Sequence, residues 1–192
     1  DRLIVGTNRN DILARFFETG AYAAGEIAPT ISPSMDIQVA SNFERLLFDL
    51  VDRDGAELNG LMATFAEERR FTLDGDRLAR ARERFSAFRI GEDETLAIMA
   101  ETFEATGEVV DPHTAVGLAA ARAARAETEG PLITLATAHP AKFPDAVMRG
   151  VGVKPELPTH LRELMTKPER LTVLPNDLAA VQAHIDHLPI VD

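Results

Sequence analysis

Polar side chains follow predicted strands or open predicted helices at three places in this sequence. Thr7 and Asn8 come directly after an apolar run, D-P-H at residues 111–113 precedes an alanine-rich stretch, and T-A-H at residues 137–139 follows a second apolar run. Ligands of parallel α/β sheets bind beyond the carboxyl ends of the strands. Free N–H groups at a helix N-terminus attract anions. Position alone therefore selects these three segments as a polar site.

Each segment also has a purely structural interpretation. Asp111 is adequately explained as a helix N-cap, for which aspartate is a preferred residue. His113 fits a surface position in the first helical turn, Thr137 the end of a strand, and His139 a turn. The S-P-S-M-D stretch at residues 32–36 fits an ordinary loop. The residues by themselves leave both interpretations open at every one of these positions.

The elements that must position these residues alternate between strands and helices. Short apolar runs predict buried strands over residues 3–5 and 132–136, and alternation predicts a strand or an extended segment over residues 85–90. Asn10 is the expected cap of the first helix. Helical periodicity and caps predict helices over residues 10–20, 43–50, 56–70, 92–107 and 112–126, from 144 onward, and near 159–166 and 176–187. This alternation predicts an α/β fold: a helix-rich, partial layered αβα unit with a mostly parallel sheet.

Composition excludes several classes of function. The formal charge of −11 disfavours nucleic acid as a partner, because binding it usually needs a basic face. No apolar run approaches the roughly 20 residues of a membrane span. The absence of cysteine excludes disulfides and thiolate metal sites and fits a cytoplasmic protein. We find no metalloprotease, phosphate-loop or dinucleotide motif, and we therefore predict no metal site.

Four segments, in this order and spacing, resemble the motifs of threonine synthases. They are T-N-R-N-D-I-L with R-F at residues 7–16, S-P-S-M-D-I followed by S-N-F-E-R at residues 32–45, D-P-H-T-A-V-G at residues 111–117, and T-A-H-P-A-K-F at residues 137–143. The resemblance extends from residue 1 to about residue 187. It implies the fold of type II pyridoxal-phosphate (PLP) enzymes, which are similar to the tryptophan synthase β-subunit.

The resemblance implies a lyase of threonine biosynthesis that converts O-phospho-L-homoserine and water into L-threonine and phosphate. The cofactor would be PLP, which acts as an electron sink. The family's Schiff-base lysine lies in an H-G-P-T-x-x-F-K-D motif, which is absent here, as is its S-G-N-F-G phosphate loop. None of the three lysines, Lys142, Lys154 and Lys167, matches that position. We therefore expect a fragment that is inactive alone and whose partner is the missing N-terminal part of the same protein.

The resemblance also assigns site residues. Thr137 would place its hydroxyl against the pyridine nitrogen of PLP, and His139 would shape the same pocket on the cofactor side. The candidates on the substrate side are Ser32, Ser34, Asp36, Asn42, Arg45, Asp111 and His113.

We expect residues 1–192 to form one C-terminal portion of a catalytic unit. Within it, residues 51–84 would be a helical insertion and residues 150–192 a helical tail. Two alternatives stay open: another fold type II PLP lyase or a catalytically idle threonine synthase-like protein, and, more remotely, a binding domain that only borrows the fold.

Overall fold

The structure, a computed structural model, describes residues 2–188. Residue 1 and residues 189–192 of the expected unit 1–192 lie outside the described residues. The expected tail 150–192 is therefore described only up to residue 188. The chain divides into two compact units at the junction of Glu156 and Leu157. The first unit contains both sheets and every candidate site residue.

The strands of the first unit form two small sheets. Strands β1 (Leu3–Thr7) and β4 (Phe85–Arg89) pair in parallel, in a register that places Leu3 beside Phe85 and Thr7 beside Arg89. Strands β2 (Ala21–Ala23) and β3 (Arg70–Thr72) pair antiparallel. The sequence predicted β1 and β4 but not β2 and β3, because three-residue strands carry too little alternation to be recognised.

Eight α-helices accompany these strands within residues 2–188. They are α1 (Ile12–Thr19), α2 (Phe43–Leu50), α3 (Gly55–Glu68), α4 (Gly75–Arg84), α5 (Glu92–Thr106), α6 (Pro112–Ala124), α7 (Pro144–Val151) and, in the second unit, α8 (Leu178–Asp186). The expected stop signals are used: α1 and α5 end at Gly20 and Gly107, each with the positive φ that favours glycine.

Successive residues of β1 face two different layers of helices, as the pleat of a strand requires. Val5 packs into an aromatic core that includes Phe16 and Tyr22. Gly6 faces α6, where a Cβ atom would lie 3.1 Å from both the Cβ of Ala120 and the carbonyl oxygen of Val116. The glycine thus allows α6 to approach the strand closely. The parallel pair is a sheet layer covered by helices on both faces, which confirms the predicted α/β class.

The predicted buried strand over residues 132–136 is wrong. This segment has no regular secondary structure, and the side chains of Ile133 and Leu135 are 85% and 74% exposed. Thr134 does contact a helix, since a Cβ atom on Gly117 would lie 3.1 Å from its Cγ2. The apolar run alone could not show that, among the described residues, no neighbouring strand pairs with it.

Two smaller expectations also need correction. Residues 159–166 do not form an α-helix but two short 3₁₀ turns, Thr159–Leu161 and Leu164–Thr166. Asn10 does not cap α1: the N-cap position is Asp11, whose carboxylate instead binds the side chain of Arg15 at 2.8 Å. The amide of Asn10 is used elsewhere, in the site described below. No helix among residues 2–188 is both long enough and apolar enough to cross a membrane.

Candidate functional site

The first part of the site is a hydrogen-bond cluster between the end of β1 and the loop that follows β2. The carboxylate of Asp36 accepts from Asn8 Nδ2 at 2.7 Å and from Asn10 Nδ2 at 2.9 Å. It also accepts from the hydroxyl of Thr30 at 2.7 Å and from the backbone N–H of Thr30 at 2.9 Å. Asn8 Nδ2 reaches the buried hydroxyl of Ser32 at 3.0 Å. The loop is thereby fixed to the carboxyl end of the strand.

The second part is the N-terminus of α6, where Asp111 is the N-cap that the sequence predicted. Its completely buried carboxylate accepts from the backbone N–H groups of His113 and Thr114. The same carboxylate also accepts from two side chains, the imidazole of His113 and the hydroxyl of Thr114. An N-cap needs only the two hydrogen bonds from backbone N–H groups, so this aspartate does more than cap the start of α6.

His113 joins the two parts of the site. Its Nδ1 lies 2.8 Å from Asp111 Oδ1, and its Nε2 accepts the backbone N–H of Ser34 at 3.2 Å. Since Nε2 is an acceptor here, the proton of the neutral ring is on Nδ1, where the carboxylate can accept it. The ring is buried beside Phe143, at 4.5 Å between centroids. His113 is therefore not the surface residue that its structural interpretation allowed.

Thr137 lies beside the same helix terminus. Its backbone N–H donates to the hydroxyl of Thr114 at 3.2 Å, whereas its own hydroxyl makes no hydrogen bond among residues 2–188. The residue is exposed. The main chain of Thr137 is thus anchored while its hydroxyl stays available to a ligand. His139 is exposed as well, and its Nδ1 accepts the N–H of Ala141 at 3.1 Å in a short turn.

Asn42 and Arg45 are not joined to this network. They bind each other at the start of α2, with Arg45 Nη2 at 2.7 Å from Asn42 Oδ1, and both are exposed. They line an open groove of about 790 Å³ whose floor is apolar and includes Leu3 and Phe85. The structure therefore separates these two candidates from Ser32, Ser34, Asp36, Asp111, His113 and Thr137.

Sequence reasoning missed three residues that hold the site together: Asn10, Thr30 and Thr114. Thr114 carried a usable signal, because a hydroxyl three positions after an N-cap aspartate is within its reach. Thr30 carried no such signal, because it meets Asp36 only through the conformation of the loop that contains both residues. Within residues 2–188, no group of histidine, aspartate and glutamate side chains could hold a metal ion.

Comparison with known proteins shows which proteins this chain is similar to. The family model described as "Threonine synthase, C-terminal" matches residues 114–185. A threonine synthase of Pseudomonas aeruginosa is 46% identical over 185 residues, which is 96% of this chain and 39% of that protein.

Solved structures give the same result. The PLP-bound threonine synthase of Brucella melitensis superimposes with a TM-score of 0.85 at 46% identity, over 97% of this chain and 40% of that one. The yeast threonine synthase superimposes with a TM-score of 0.82 at 32% identity, over 97% of this chain and 42% of that one. The predicted resemblance to fold type II PLP enzymes is confirmed, and this chain spans about two fifths of the length of these relatives. The chain is similar over almost its whole length to the C-terminal part of threonine synthases.

Proposed function

We propose that this chain is the C-terminal part of a threonine synthase, a lyase that converts O-phospho-L-homoserine and water into L-threonine and phosphate. Similarity to threonine synthases over 96% of the chain carries the proposal. The reaction and substrate are those that the family resemblance implies. The cytoplasmic location and the role in threonine biosynthesis are part of the same proposal.

The residues around Thr137 fit PLP as the cofactor. An anchored main chain beside a free hydroxyl is what a hydrogen bond to a pyridine nitrogen requires. When bound, PLP supplies an electron sink for carbanion chemistry. Thr137 would orient the ring from its nitrogen side, and His139 would lie along the same wall. A neutral hydroxyl at this position would leave the pyridine nitrogen of a bound PLP largely unprotonated.

The loop over residues 32–36 is proposed to bind the substrate. It leaves the side chain of Ser34 exposed, while the backbone N–H of Ser34 is held by His113. Ser32 and Asp36 keep the loop in this conformation through their bonds to Asn8. Asn42 and Arg45 stay candidates for the substrate's phosphate, since a guanidinium can bind a phosphate with two parallel hydrogen bonds.

The lysine that binds the cofactor covalently is proposed to lie in the N-terminal part of the protein. Lys142 belongs to the same segment as Thr137 and His139, and its Nζ lies 5.9 Å above the centroid of Phe143. Its place in the T-A-H-P-A-K-F motif is not the Schiff-base position of the family. We therefore propose that the chain alone is inactive. We also propose that residues 51–84 are a helical insertion and residues 150–192 a helical tail of the catalytic unit.

Phosphate release from O-phosphohomoserine tests this function. The full-length protein that carries this chain, loaded with PLP, should release phosphate and form threonine, whereas the 192-residue chain with PLP should release none. Thr137→Val in the full-length protein should lower PLP affinity and turnover, because it removes the free hydroxyl at nearly constant volume. Thr72→Val, at another exposed threonine, is the matched control and should change neither.

Three outcomes would contradict the proposal. Steady phosphate release by the chain alone would show that the lysine assignment is wrong. A full-length protein that binds PLP but releases no phosphate would favour the idle threonine synthase-like alternative. Equal PLP affinity in Thr137→Val and in the unmodified protein would remove Thr137 from the cofactor site.

A further inference from the structure

The carboxylate of Asp111 is the point from which two loops of the site are held. It is fully buried and accepts four hydrogen bonds, two on each oxygen. Its Oδ1 serves the backbone and ring of His113, and its Oδ2 serves the backbone and hydroxyl of Thr114. An ionised carboxylate only accepts hydrogen bonds. His113 and Thr114 must therefore donate to it, which leaves their remaining lone pairs as acceptors for other donors.

The first branch leads to the proposed substrate loop. Because Asp111 Oδ1 takes the proton on His113 Nδ1, the opposite ring nitrogen is left as an acceptor for the N–H of Ser34 at 3.2 Å. Ser34 is 79 positions away from His113 in the sequence. This bond therefore joins the loop to α6 by tertiary contact alone.

The second branch leads to the proposed cofactor residue. The hydroxyl of Thr114 donates to Asp111 Oδ2, which leaves its lone pairs free to accept the N–H of Thr137 at 3.2 Å. Thr134 lies against Gly117 one turn further along α6. The segment that carries Thr137 is thus held on the helix by one hydrogen bond and one packing contact.

We propose that Asp111 is a positioning residue that sets the substrate loop and Thr137 relative to each other, through His113 and Thr114 respectively. The inference rests on the proposed function, since that function assigns one branch to the substrate and the other to the cofactor. Asp111 itself is buried and acts only through its two neighbours.

Asp111→Asn places two hydrogen-bond donors opposite each other whichever way the amide turns. If its nitrogen faces Thr114, that N–H donor meets the backbone N–H of Thr114. If its nitrogen faces His113, the ring must accept on Nδ1 and carry its proton on Nε2, opposite the N–H of Ser34. Two donors then face each other in either case, which is unfavourable in a buried site.

Variants of the two branches separate their effects. His113→Phe keeps a ring beside Phe143 but removes the acceptor for Ser34, and Thr114→Val removes the acceptor for Thr137. Thr114→Ser keeps that acceptor and should behave like the unmodified protein. Thr95→Val is the matched control, because Thr95 is also a buried helical threonine, and its hydroxyl donates to the carbonyl of Gly91 in another helix.

The experiment uses full-length protein and three readouts: the PLP dissociation constant, the KM for O-phosphohomoserine, and amide hydrogen exchange of the apoprotein. Loss of one buried hydrogen bond corresponds to about a tenfold change. We expect Thr114→Val to raise the PLP dissociation constant by about that factor and His113→Phe to raise KM similarly. Thr114→Val should change KM by less than about threefold, and His113→Phe should change the PLP dissociation constant by less than about threefold. Asp111→Asn replaces only one of the two carboxylate oxygens by a donor in either orientation, so it should raise at least one of the two constants.

Amide exchange separates failure of this inference from failure of the proposed function. Exchange should accelerate at Ser34 in His113→Phe and at Thr137 in Thr114→Val, and this result needs no catalysis. Unchanged exchange at either position would overturn the inference, as would two single variants that move both constants together. If the unmodified protein releases no phosphate, the proposed function fails, and the exchange result alone then decides whether Asp111 positions the two loops.

Discussion

Replacing Gly117 by alanine tests whether the segment that carries Thr137 is packed on α6. An added Cβ atom would lie 3.1 Å from Thr134 Cγ2, and apart from its chain neighbours and the adjacent backbone of α6 it would meet no other atom within 4 Å. Carbon atoms prefer separations of about 3.5–4.0 Å. The contact must therefore widen by about half an ångström, and Thr134 is the group that has to move.

Two opposing contributions set the expected magnitude. Alanine is favoured over glycine in a helix interior by about 1 kcal/mol, and overpacking typically costs about 1–3 kcal/mol. We expect Gly117→Ala to lower the free energy of unfolding by up to about 2 kcal/mol. The control is Gly60→Ala in α3, where an added Cβ atom meets nothing within 4 Å. Gly60→Ala should raise the free energy of unfolding by about 0.5–1 kcal/mol, because only helix propensity changes.

Urea unfolding followed by circular dichroism measures both variants. Adding Thr134→Ser to Gly117→Ala removes the methyl group that the new Cβ meets, and this double variant should recover the propensity gain. A Gly117→Ala variant that is stabilised as much as Gly60→Ala would refute the packing of Thr134 on α6. The PLP affinity of full-length Gly117→Ala should also fall, since Thr137 follows Thr134 by three residues.

Two further predictions concern other parts of the first unit. Asp36→Asn should lower the free energy of unfolding by about 2 kcal/mol, because all four partners of this carboxylate are donors. The control Glu104→Gln, at an exposed position, should change the free energy of unfolding by less than about 0.5 kcal/mol. Equal effects of Asp36→Asn and Glu104→Gln would contradict the hydrogen-bond cluster at Asp36. Burial raises the pKa of Tyr22 above its unfolded value of 10.0, against the lowering effect of its hydrogen bond with Ala40. Its stabilising contribution should therefore be complete below that unfolded value and be lost as the pH rises through the folded pKa. Tyr22 is the only tyrosine, so near-ultraviolet absorbance reports its ionisation directly; ionisation with an unperturbed pKa and no loss of stability would contradict the shift.

The helices could be predicted from sequence because their signals are local. A cap such as Asp111 or a stop such as Gly107 acts within one helical turn, so neighbouring residues suffice to locate it. The two strands of the parallel pair were also predictable one by one, since β1 is an apolar run and β4 alternates apolar and polar residues. Residues 132–136 show where such reasoning fails. Their apolar run indicates a strand, but a strand exists only when another strand pairs with it, and that depends on distant parts of a protein.

Half of the site was predictable for the same reason. Asp111 and His113 stand at the start of a recognisable helix, α6, where position alone selected them. Thr137 was selected as the end of the strand predicted over residues 132–136, which the structure does not contain. The Asp36 cluster could not be found this way, because Thr30 and Asn10 meet through the conformation of a loop without periodicity. Family resemblance supplied Ser32, Ser34 and Asp36. It did not indicate which residues bind one another, which only the structure shows.

Asp111 shows that the structural and functional interpretations of a residue need not exclude each other. A carboxylate buried without partners is strongly destabilising, and capping α6 accounts for only two of its four hydrogen bonds. The other two come from His113 and Thr114, which continue to Ser34 and Thr137. The cap holds the carboxylate at the helix terminus, and the side-chain bonds offset the remaining cost of burying it there. The N-terminus of α6 is therefore a position where the carboxylate of Asp111 can be buried stably and can also position the two loops that carry Ser34 and Thr137.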